Sequence, residues 1–183
     1  MLPEIIIISI ISIVTLAIRN KMPKLSDIKI EIKGYQVLIA AAVIEIVAGF
    51  LYRNFSNSSM LKILSLHWLI YLALFIVTIL NFEKPFMKLL FAGTLLNFIA
   101  IVSNDFKMPV LVSEILSDTE TKRLYLQTGQ DLVHSLLTDD TQFKVLCDII
   151  TLAPPYPFPK TISLGDISLL LGVFAFWQEP VSE

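Results

Sequence analysis

Five apolar runs constrain most strongly what this chain can fold into. The first, LPEIIIISIISIVTLAI at 2–18, is long enough to cross a bilayer with a hydrocarbon core of about 30 Å, given a helical rise of about 1.5 Å per residue. Hydrophobic residues make up 55% of the 183 residues and only 16% are charged, which exceeds what a soluble chain of this length can hide from water. The runs therefore predict an integral membrane protein.

The other four predicted spans are bounded by charged residues, asparagine or proline. The last begins after the proline-rich stretch APPYPFPK at 153–160, which cannot continue a helix. Positive charges follow the first run instead of preceding it, so we expect this run to be a retained span and not a cleaved signal peptide. We predict one membrane domain covering 1–183, with spans at 2–18, 35–52, 61–80, 85–102 and 162–177.

The basic residues of the short loops predict the orientation, because Lys and Arg near span ends resist translocation. They are concentrated after the first and third predicted spans and are sparse between the second and third. The chain is therefore predicted to be multi-pass, with its N-terminus outside and its C-terminus cytoplasmic. The two rich loops carry Arg19, Lys21, Lys24, Lys29 and Lys33, then Lys84 and Lys88, against Arg53 and Lys62 in the other loop.

The segment 104–160 between the fourth and fifth spans is too long for a simple turn and too patterned for a disordered tail. Its apolar residues recur at helical spacing, for example at Leu132, Val133, Leu136 and Leu137. Two or three short helices on the outer membrane surface would satisfy this pattern. The predicted fold class is thus an all-α integral membrane protein with five transmembrane helices and a folded helical extracytoplasmic segment.

Polar groups within the predicted spans need partners, since an ionised carboxylate in a bilayer costs on the order of 2.5 kcal/mol or more. Glu45 lies near the middle of the second span, Asn97 lies at a comparable depth in the fourth, and Asp166 begins the fifth. These side chains are candidates for one outward-opening ligand-binding pocket. The structural alternative is that they only form hydrogen bonds between helices. Gly93, Gly165 and Gly172 favour close helix packing around them.

The predicted outer segment combines one histidine, His134, with scattered carboxylates from which an acid–base or metal site can be assembled. The carboxylates are Asp105, Glu114, Asp118, Glu120, Asp131, Asp139, Asp140 and Asp148. No H-E-x-x-H, G-x-S-x-G or phosphate-binding glycine loop accompanies them. The sequence therefore leaves catalysis, cofactors and metals unassigned.

A series of short motifs resembles a family of small bacterial five-helix integral membrane proteins known only as a domain of unknown function. The motifs are Asn97, Asn104 with Met108-Pro109-Val110, His134, Thr141 with Leu146 and Asp148, and Ser163-Leu164-Gly165-Asp166-Ile167. The resemblance covers about 90–175, implies a bacterial inner-membrane location, and directs attention to Asn104, His134, Asp148 and Asp166. This chain departs from it at Asp105-Phe106, where glycine usually follows the asparagine, and at Cys147, within what is more typically Leu-Gly-Asp.

Two functions compete on this evidence. The first is a membrane-embedded binding or interaction module with an outward-facing polar pocket for a lipid, a small molecule or a protein partner. The second is an interfacial hydrolase or transferase acting on a lipid-linked substrate, with His134 as general base and Asp148 or Asp166 orienting it or holding a metal. Ion transport ranks third, and assembly into a homo-oligomer stays open. Nucleic acid is excluded as a partner, because the net charge is −2 and no basic cluster follows a phosphate backbone.

Overall fold

Most of the described chain is helical, and the helices fall on the predicted apolar runs. The structure, a computed structural model, describes residues 1–22, 31–54, 68–116 and 119–179. His67, Asp118, Lys24, Lys29, Lys62 and the first seven residues of the predicted third span lie outside these ranges. The elements within them are α1 (Leu2–Ile18), α2 (Tyr35–Asn54), α3 (Trp68–Leu80), α4 (Pro85–Val102), β1 (Met108–Val110), α5 (Thr119–Gln127), β2 (His134–Leu136), a 3-10 helix (Lys144–Leu146), β3 (Ile150–Leu152), β4 (Lys160–Ile162) and α6 (Leu164–Gln178).

Two of these helices are long and apolar enough to cross a membrane, judged by length and composition alone. They contain the windows Tyr35–Tyr52 in α2 and Pro85–Val102 in α4. The apolar helices Leu2–Ile18, Leu69–Leu80 and Leu164–Gln178 are shorter. Helices are thus confirmed in all five predicted runs, while a layout with five transmembrane spans remains a prediction.

Helices α4 and α6 form the most extensive helix contact, and glycine explains how close they come. A Cβ built on Gly165 would lie 2.8 Å from the carbonyl oxygen of Gly93, and one on Gly172 would lie 2.6 Å from Cδ2 of Leu90. Hydrogen at these positions lets the two backbones approach, as predicted. The other main contacts between α-helices of the described residues are α1 on α6, α2 on α3, and α3 on α4.

Glu45 was expected to share a pocket with Asn97 and Asp166, but α2 packs mainly against α3. One bond of this pair is made by Glu45, whose Oε1 accepts a hydrogen bond of 2.9 Å from the backbone N–H of Ile70. Ile70 lies in the first turn of α3, where backbone N–H groups have no partner within their own helix. The carboxylate of Glu45 thus satisfies a helix end instead of reaching α4.

The all-α prediction fails in the segment 104–160, which contains one α-helix, one 3-10 helix and four strands within its described residues. β1 pairs in parallel with β2, and on its other side Val110 forms a parallel bridge with Asp148. β3 and β4 pair antiparallel, so the proline-rich stretch at 153–160 lies mostly in a hairpin loop. Strands of three residues are too short to show the alternation of apolar and polar residues by which a strand is recognised. Apolar residues three or four positions apart in this segment were therefore interpreted as helical.

The segment 104–160 is fixed on the end of α4. Ala100 and Ile101 of α4 pack with Met108 and Cys147 in one buried apolar cluster. Asn104, just beyond α4, donates hydrogen bonds from Nδ2 to the carbonyls of Ala100 and Gln142 and accepts one at Oδ1 from Gln142 N–H, at 2.7, 3.0 and 2.9 Å. The segment therefore leaves α4 and returns to α6 at one end of the helices.

Candidate functional site

A cavity lies where the segment 104–160 meets the ends of α3, α4 and α6. Its larger lobe has a volume of about 590 Å³, and an adjoining smaller lobe has a volume of about 380 Å³. Both lobes are lined by Met1, Tyr125, Asp131, His134, Asp148 and Asp166. The larger lobe adds Tyr71, Asn97, Ile101, Met108, Leu132 and Val133, and the smaller adds Val110, Lys122, Leu126, Lys160 and Thr161. Of the six residues predicted as candidates, the structure brings four to this cavity: Asn97, His134, Asp148 and Asp166.

His134 is oriented by Asp131. The Nδ1 of His134 lies 3.1 Å from Oδ2 of Asp131, whose Oδ1 accepts hydrogen bonds from the backbone N–H groups of Val133 and His134 at 2.8 and 2.9 Å. Burial alone would raise the pKa of Asp131, but the hydrogen bonds from His134 and Val133 hold it below its usual value. An ionised Asp131 fixes the proton of a neutral His134 on Nδ1 and leaves Nε2 as an acceptor.

The partner that sequence reasoning gave to His134 was therefore wrong, since Asp131 and not Asp148 or Asp166 makes this contact. The available signal was the spacing D-x-x-H, which places the two side chains on one tight turn before β2. Asp131 was one of the eight carboxylates noted in the segment 104–160, and it was not singled out from the sequence. The turn brings Asp131 to His134 because the Asp131 side chain also accepts hydrogen bonds from the backbone N–H groups of Val133 and His134.

Asp148 is a buried carboxylate with an unsatisfied oxygen. Only 8% of its surface is exposed, and none of the described residues donates a hydrogen bond to its Oδ1. Its backbone is fixed beside β1, where its N–H donates to the carbonyl of Pro109 at 3.0 Å and its carbonyl accepts from Leu111 N–H at 2.8 Å. Burial and the negative charge of Asp166 raise the pKa of Asp148 to about 7, although His134, Lys160 and Lys122 act in the opposite direction.

Asn97 and Asp166 meet at the floor of the cavity, as the hypothesis of a shared polar pocket predicted for these two. Asn97 Nδ2 donates to Asp166 Oδ1 at 2.9 Å, and Ser163 Oγ donates to Asn97 Oδ1 at 2.7 Å. Ser163 also caps α6, since its Oγ accepts from Asp166 N–H while Asp166 Oδ2 accepts from Ser163 N–H. Asp166 thus combines a cap, an interhelical bond and a place in the cavity wall.

The other two predicted candidates, Glu45 and Asn104, do not line this cavity. Glu45 contacts the start of α3, and Asn104 fastens Gln142 to α4. Asn104 instead lines a separate polar cleft of about 400 Å³ beside β1 and β2. The pocket therefore gathers fewer of the predicted candidates than expected, and the two that it omits have structural contacts.

Sequence reasoning missed the aromatic and basic residues of the cavity, namely Tyr71, Tyr125, Lys122 and Lys160. Lys160 forms an ion pair of 2.8 Å with Glu4, which also accepts a hydrogen bond from Tyr156 at 2.9 Å. A carboxylate near the start of the first apolar run was the available signal, because a buried Glu needs such partners. Glu4 is 4% exposed and ties α1 to the hairpin of β3 and β4.

The site offers hydrogen-bonding and acid–base chemistry in a partly enclosed space. Among the described residues, no group of three or more His, Cys, Asp or Glu side chains is placed to hold a metal ion. His134 presents an imidazole whose Nδ1 is held by Asp131, Asp148 an unsatisfied carboxylate oxygen, and Lys122 and Lys160 ammonium groups. Such a mixture suits the recognition of a small polar molecule or the transfer of a proton to or from one.

Fold and site together define a mostly helical protein that has two candidate membrane-spanning helices and an acidic cavity at one end. The chain belongs to DUF5317, a family of unknown function, which residues 29–178 match. It is also similar to an uncharacterized protein of Thermotoga maritima, with 31% identity over 107 residues. That match covers 58% of this chain and 59% of the relative, so the chain spans about three fifths of the relative's length. No solved structure matches it.

Proposed function

We propose that the five apolar helices all cross a membrane. α2 and α4 have the length and composition for this, the shorter α3 and α6 pack against α4, and α1 packs on α6. Large apolar side chains point outward, and exposing so many to water is unfavourable. Ile39 is 56% exposed, Ile46 71% and Phe50 59%. A hydrocarbon environment around the helices would remove this cost.

We infer that the cavity end faces outward across the inner membrane of a bacterium. Arg19, Lys21, Lys33 and Lys84 lie at the opposite end of the helices, and basic residues mark the cytoplasmic side. This orientation places the N-terminus outside and the C-terminus inside. A relative from Thermotoga maritima is consistent with a bacterial membrane.

Within this layout we propose that the protein binds a small polar ligand in the outward-facing cavity. The unsatisfied Oδ1 of Asp148 carries the proposal, because leaving a buried acceptor without a donor costs about 1–3 kcal/mol. A bound N–H or O–H group would supply the missing donor. A volume of about 590 Å³ lies in the range typical of small-molecule sites.

The test is a thermal-shift screen of the purified protein in detergent against cationic, anionic, zwitterionic and neutral small compounds. We expect at least one compound to raise the melting temperature, and the shift to fall in Asp148→Asn. Lys144→Gln is the matched control, since Lys144 lies outside the cavity and pairs loosely with Asp139. Cysteines at Leu132 and Val133 should react with a water-soluble maleimide if the cavity is open. Failure of both readouts would contradict the binding function.

The pair Asp131 and His134 supports a second candidate function, an interfacial hydrolase or transferase acting on a lipid-linked substrate. In this mechanism His134 Nε2 accepts a proton from water or from a substrate hydroxyl, and Asp131 stabilises the imidazolium that forms. Asp148, on the other edge of β1, faces the same space. General-base catalysis of this kind contributes about 10²–10⁴-fold to a rate.

This candidate is tested by assaying a panel of lipid esters and phosphoesters in mixed micelles. Turnover by the wild-type protein should fall at least about 100-fold in His134→Gln. Asp131→Asn should lower the rate less and change its pH profile. Equal rates for the wild-type protein and His134→Gln, or no turnover of any lipid in the panel, would count against catalysis and leave the binding function standing.

A further inference from the structure

The two lobes of the cavity differ in charge. Asp131, Asp148 and Asp166 line the larger lobe, and no Lys or Arg is among its lining residues. The amino terminus of Met1, which lines both lobes, is paired with Glu4 at 3.2 Å. The smaller lobe faces the same three carboxylates but adds Lys122 and Lys160. The cavity is therefore acidic at one side and mixed in charge at the other, which is the complement of a molecule carrying both signs.

The carboxylates of the larger lobe are not equally available to a ligand. Asp131 is held by His134, and Asp166 by Asn97 and the cap of α6. Asp148 has an Oδ1 that no described residue satisfies, although the side chain is more than nine-tenths buried. An ammonium group meets this requirement, since it brings positive charge and three donors, and charge-assisted hydrogen bonds are the strong ones. Tyr71 and Tyr125 line the same lobe, and aromatic rings attract cations.

The two lysines of the smaller lobe also differ. Lys160 is engaged by Glu4 at 2.8 Å. Lys122 forms no ion pair with the residues that the structure describes, and it lies in the first half of α5 facing the smaller lobe. Its ammonium group is thus the cation available to an anionic part of a ligand.

We propose, resting on the binding function above, that the ligand is a zwitterion whose ammonium group binds Asp148 and whose phosphate or carboxylate binds Lys122. An aminoalkyl phosphate has this chemistry, either as the headgroup of a membrane phospholipid or as a free molecule. Both sources present the same two charges within one small group. The outward-facing cavity at the ends of the helices is open to either.

The experiment is calorimetric titration of the full chain in a maltoside detergent at pH 7.5 with three matched probes. Phosphoethanolamine carries both charges, ethanolamine only the cation, and glycerol 3-phosphate only the anion. We expect phosphoethanolamine to bind most tightly. Asp148→Asn should weaken both ammonium probes about tenfold or more, and Lys122→Gln should weaken phosphoethanolamine but not ethanolamine. Lys144→Gln should change neither.

Nanodiscs separate the two sources. If phosphatidylethanolamine discs reduce binding of phosphoethanolamine relative to pure phosphatidylglycerol discs, the ligand is the lipid headgroup, and equal binding assigns the site to a free zwitterion. Glycerol 3-phosphate binding as tightly as phosphoethanolamine, or ammonium probes unaffected by Asp148→Asn, would overturn the inference. If a neutral or anionic compound then raises the melting temperature of the wild-type protein but not of Asp148→Asn, the proposed binding function stands without a zwitterionic ligand. If no compound binds in either assay, both the binding function and the zwitterion proposal are refuted.

Discussion

Asn97 and Asp166 join α4 to α6 through a hydrogen bond of 2.9 Å between Nδ2 of the asparagine and Oδ1 of the aspartate. Asn97 is 1% exposed and also accepts at Oδ1 from Ser163, so both ends of its amide are engaged. The bond lies beneath the cavity at the start of α6. One amide therefore sets the position of the helix that carries part of the cavity wall.

Asn97→Ala should destabilise the protein by about 1–3 kcal/mol, because it leaves Ser163 and Asp166 without their shared partner. Thermal unfolding in detergent, followed by tryptophan fluorescence, measures the effect. Thr94→Val is the matched control, since Thr94 is equally buried on α4 and its hydroxyl bonds to the carbonyl of Leu90 in the same helix. Equal melting temperatures for the two variants would contradict the interhelical role.

Gly165→Ala should be more damaging than Gly172→Ala. A Cβ on Gly165 would lie 2.0 Å from Asn97 Oδ1, and the Asn97 amide is held in place by one hydrogen bond at Oδ1 and one from Nδ2. A Cβ on Gly172 would chiefly meet the end of the Leu90 side chain, which can move. We expect a loss of about 2 kcal/mol or more for Gly165→Ala and about half of that for Gly172→Ala, measured by denaturation. A larger loss of stability in Gly172→Ala than in Gly165→Ala would show that residues other than Gly165 determine how closely α4 and α6 pack.

Asp148→Asn should stabilise the protein increasingly as the pH rises. The pKa of Asp148 is about 7 in the folded chain, above the ordinary aspartate value of 3.8. Its contribution to stability is therefore fully present below about pH 4 and lost as the pH rises through 7. We expect the variant to melt about 2 °C or more above wild type at pH 8, with little difference at pH 4. A difference independent of pH would argue against a buried, titrating Asp148.

Labelling of single cysteines tests the proposed orientation. In a Cys147→Ser background, Asp139→Cys should react with an impermeant maleimide added to intact cells, because residue 139 is fully exposed at the cavity end. Glu83→Cys, also exposed but at the opposite end, should react only after permeabilisation. The opposite pattern would invert the topology, and labelling of both in intact cells would refute a membrane barrier between them.

Phe106→Gly should stabilise the protein. Phe106 has a φ of 59° and Asp105 one of 54°, a left-handed conformation that costs a residue with a Cβ about 1–2 kcal/mol. Glycine removes this strain from the folded chain, but it also raises the conformational entropy of the unfolded chain, which offsets part of the stabilisation. We expect a net stabilisation of about 0.5–1 kcal/mol, measured by thermal unfolding. The family resemblance places glycine next to this position. Ile115→Gly, at an exposed residue without a positive φ, should be destabilising, and equal effects would contradict the strain argument.

The helices were predictable because each apolar run is long and its ends are marked locally. Helix α4 occupies Pro85–Val102 as predicted, with a proline in the first turn where its missing N–H costs nothing. The strands were not predictable, since β1 is three residues long and its partners, β2 and Asp148, are distant in the chain. Local periodicity carries no information about such pairings.

The candidate site was also predictable only in part, because the sequence identifies individual polar residues but not their partners. Asn97 and Asp166 stand out within apolar runs because each must find a partner. His134 was noticed as the histidine of the segment 104–160, and Asp148 only through the family resemblance. Which partner each finds depends on the tertiary structure. Asp131 looked like any other acidic residue until the turn before β2 placed it against His134.

The sequence by itself determined the apolar helices, their approximate ends and the polar residues that need an explanation, because hydropathy and helix-end chemistry act over a few neighbouring residues. The tertiary structure alone decided that β1 carries His134 and Asp148 on its two edges and that Glu4 reaches Lys160. These contacts join residues far apart in the chain. Their formation depends on how whole elements pack, which no local pattern records.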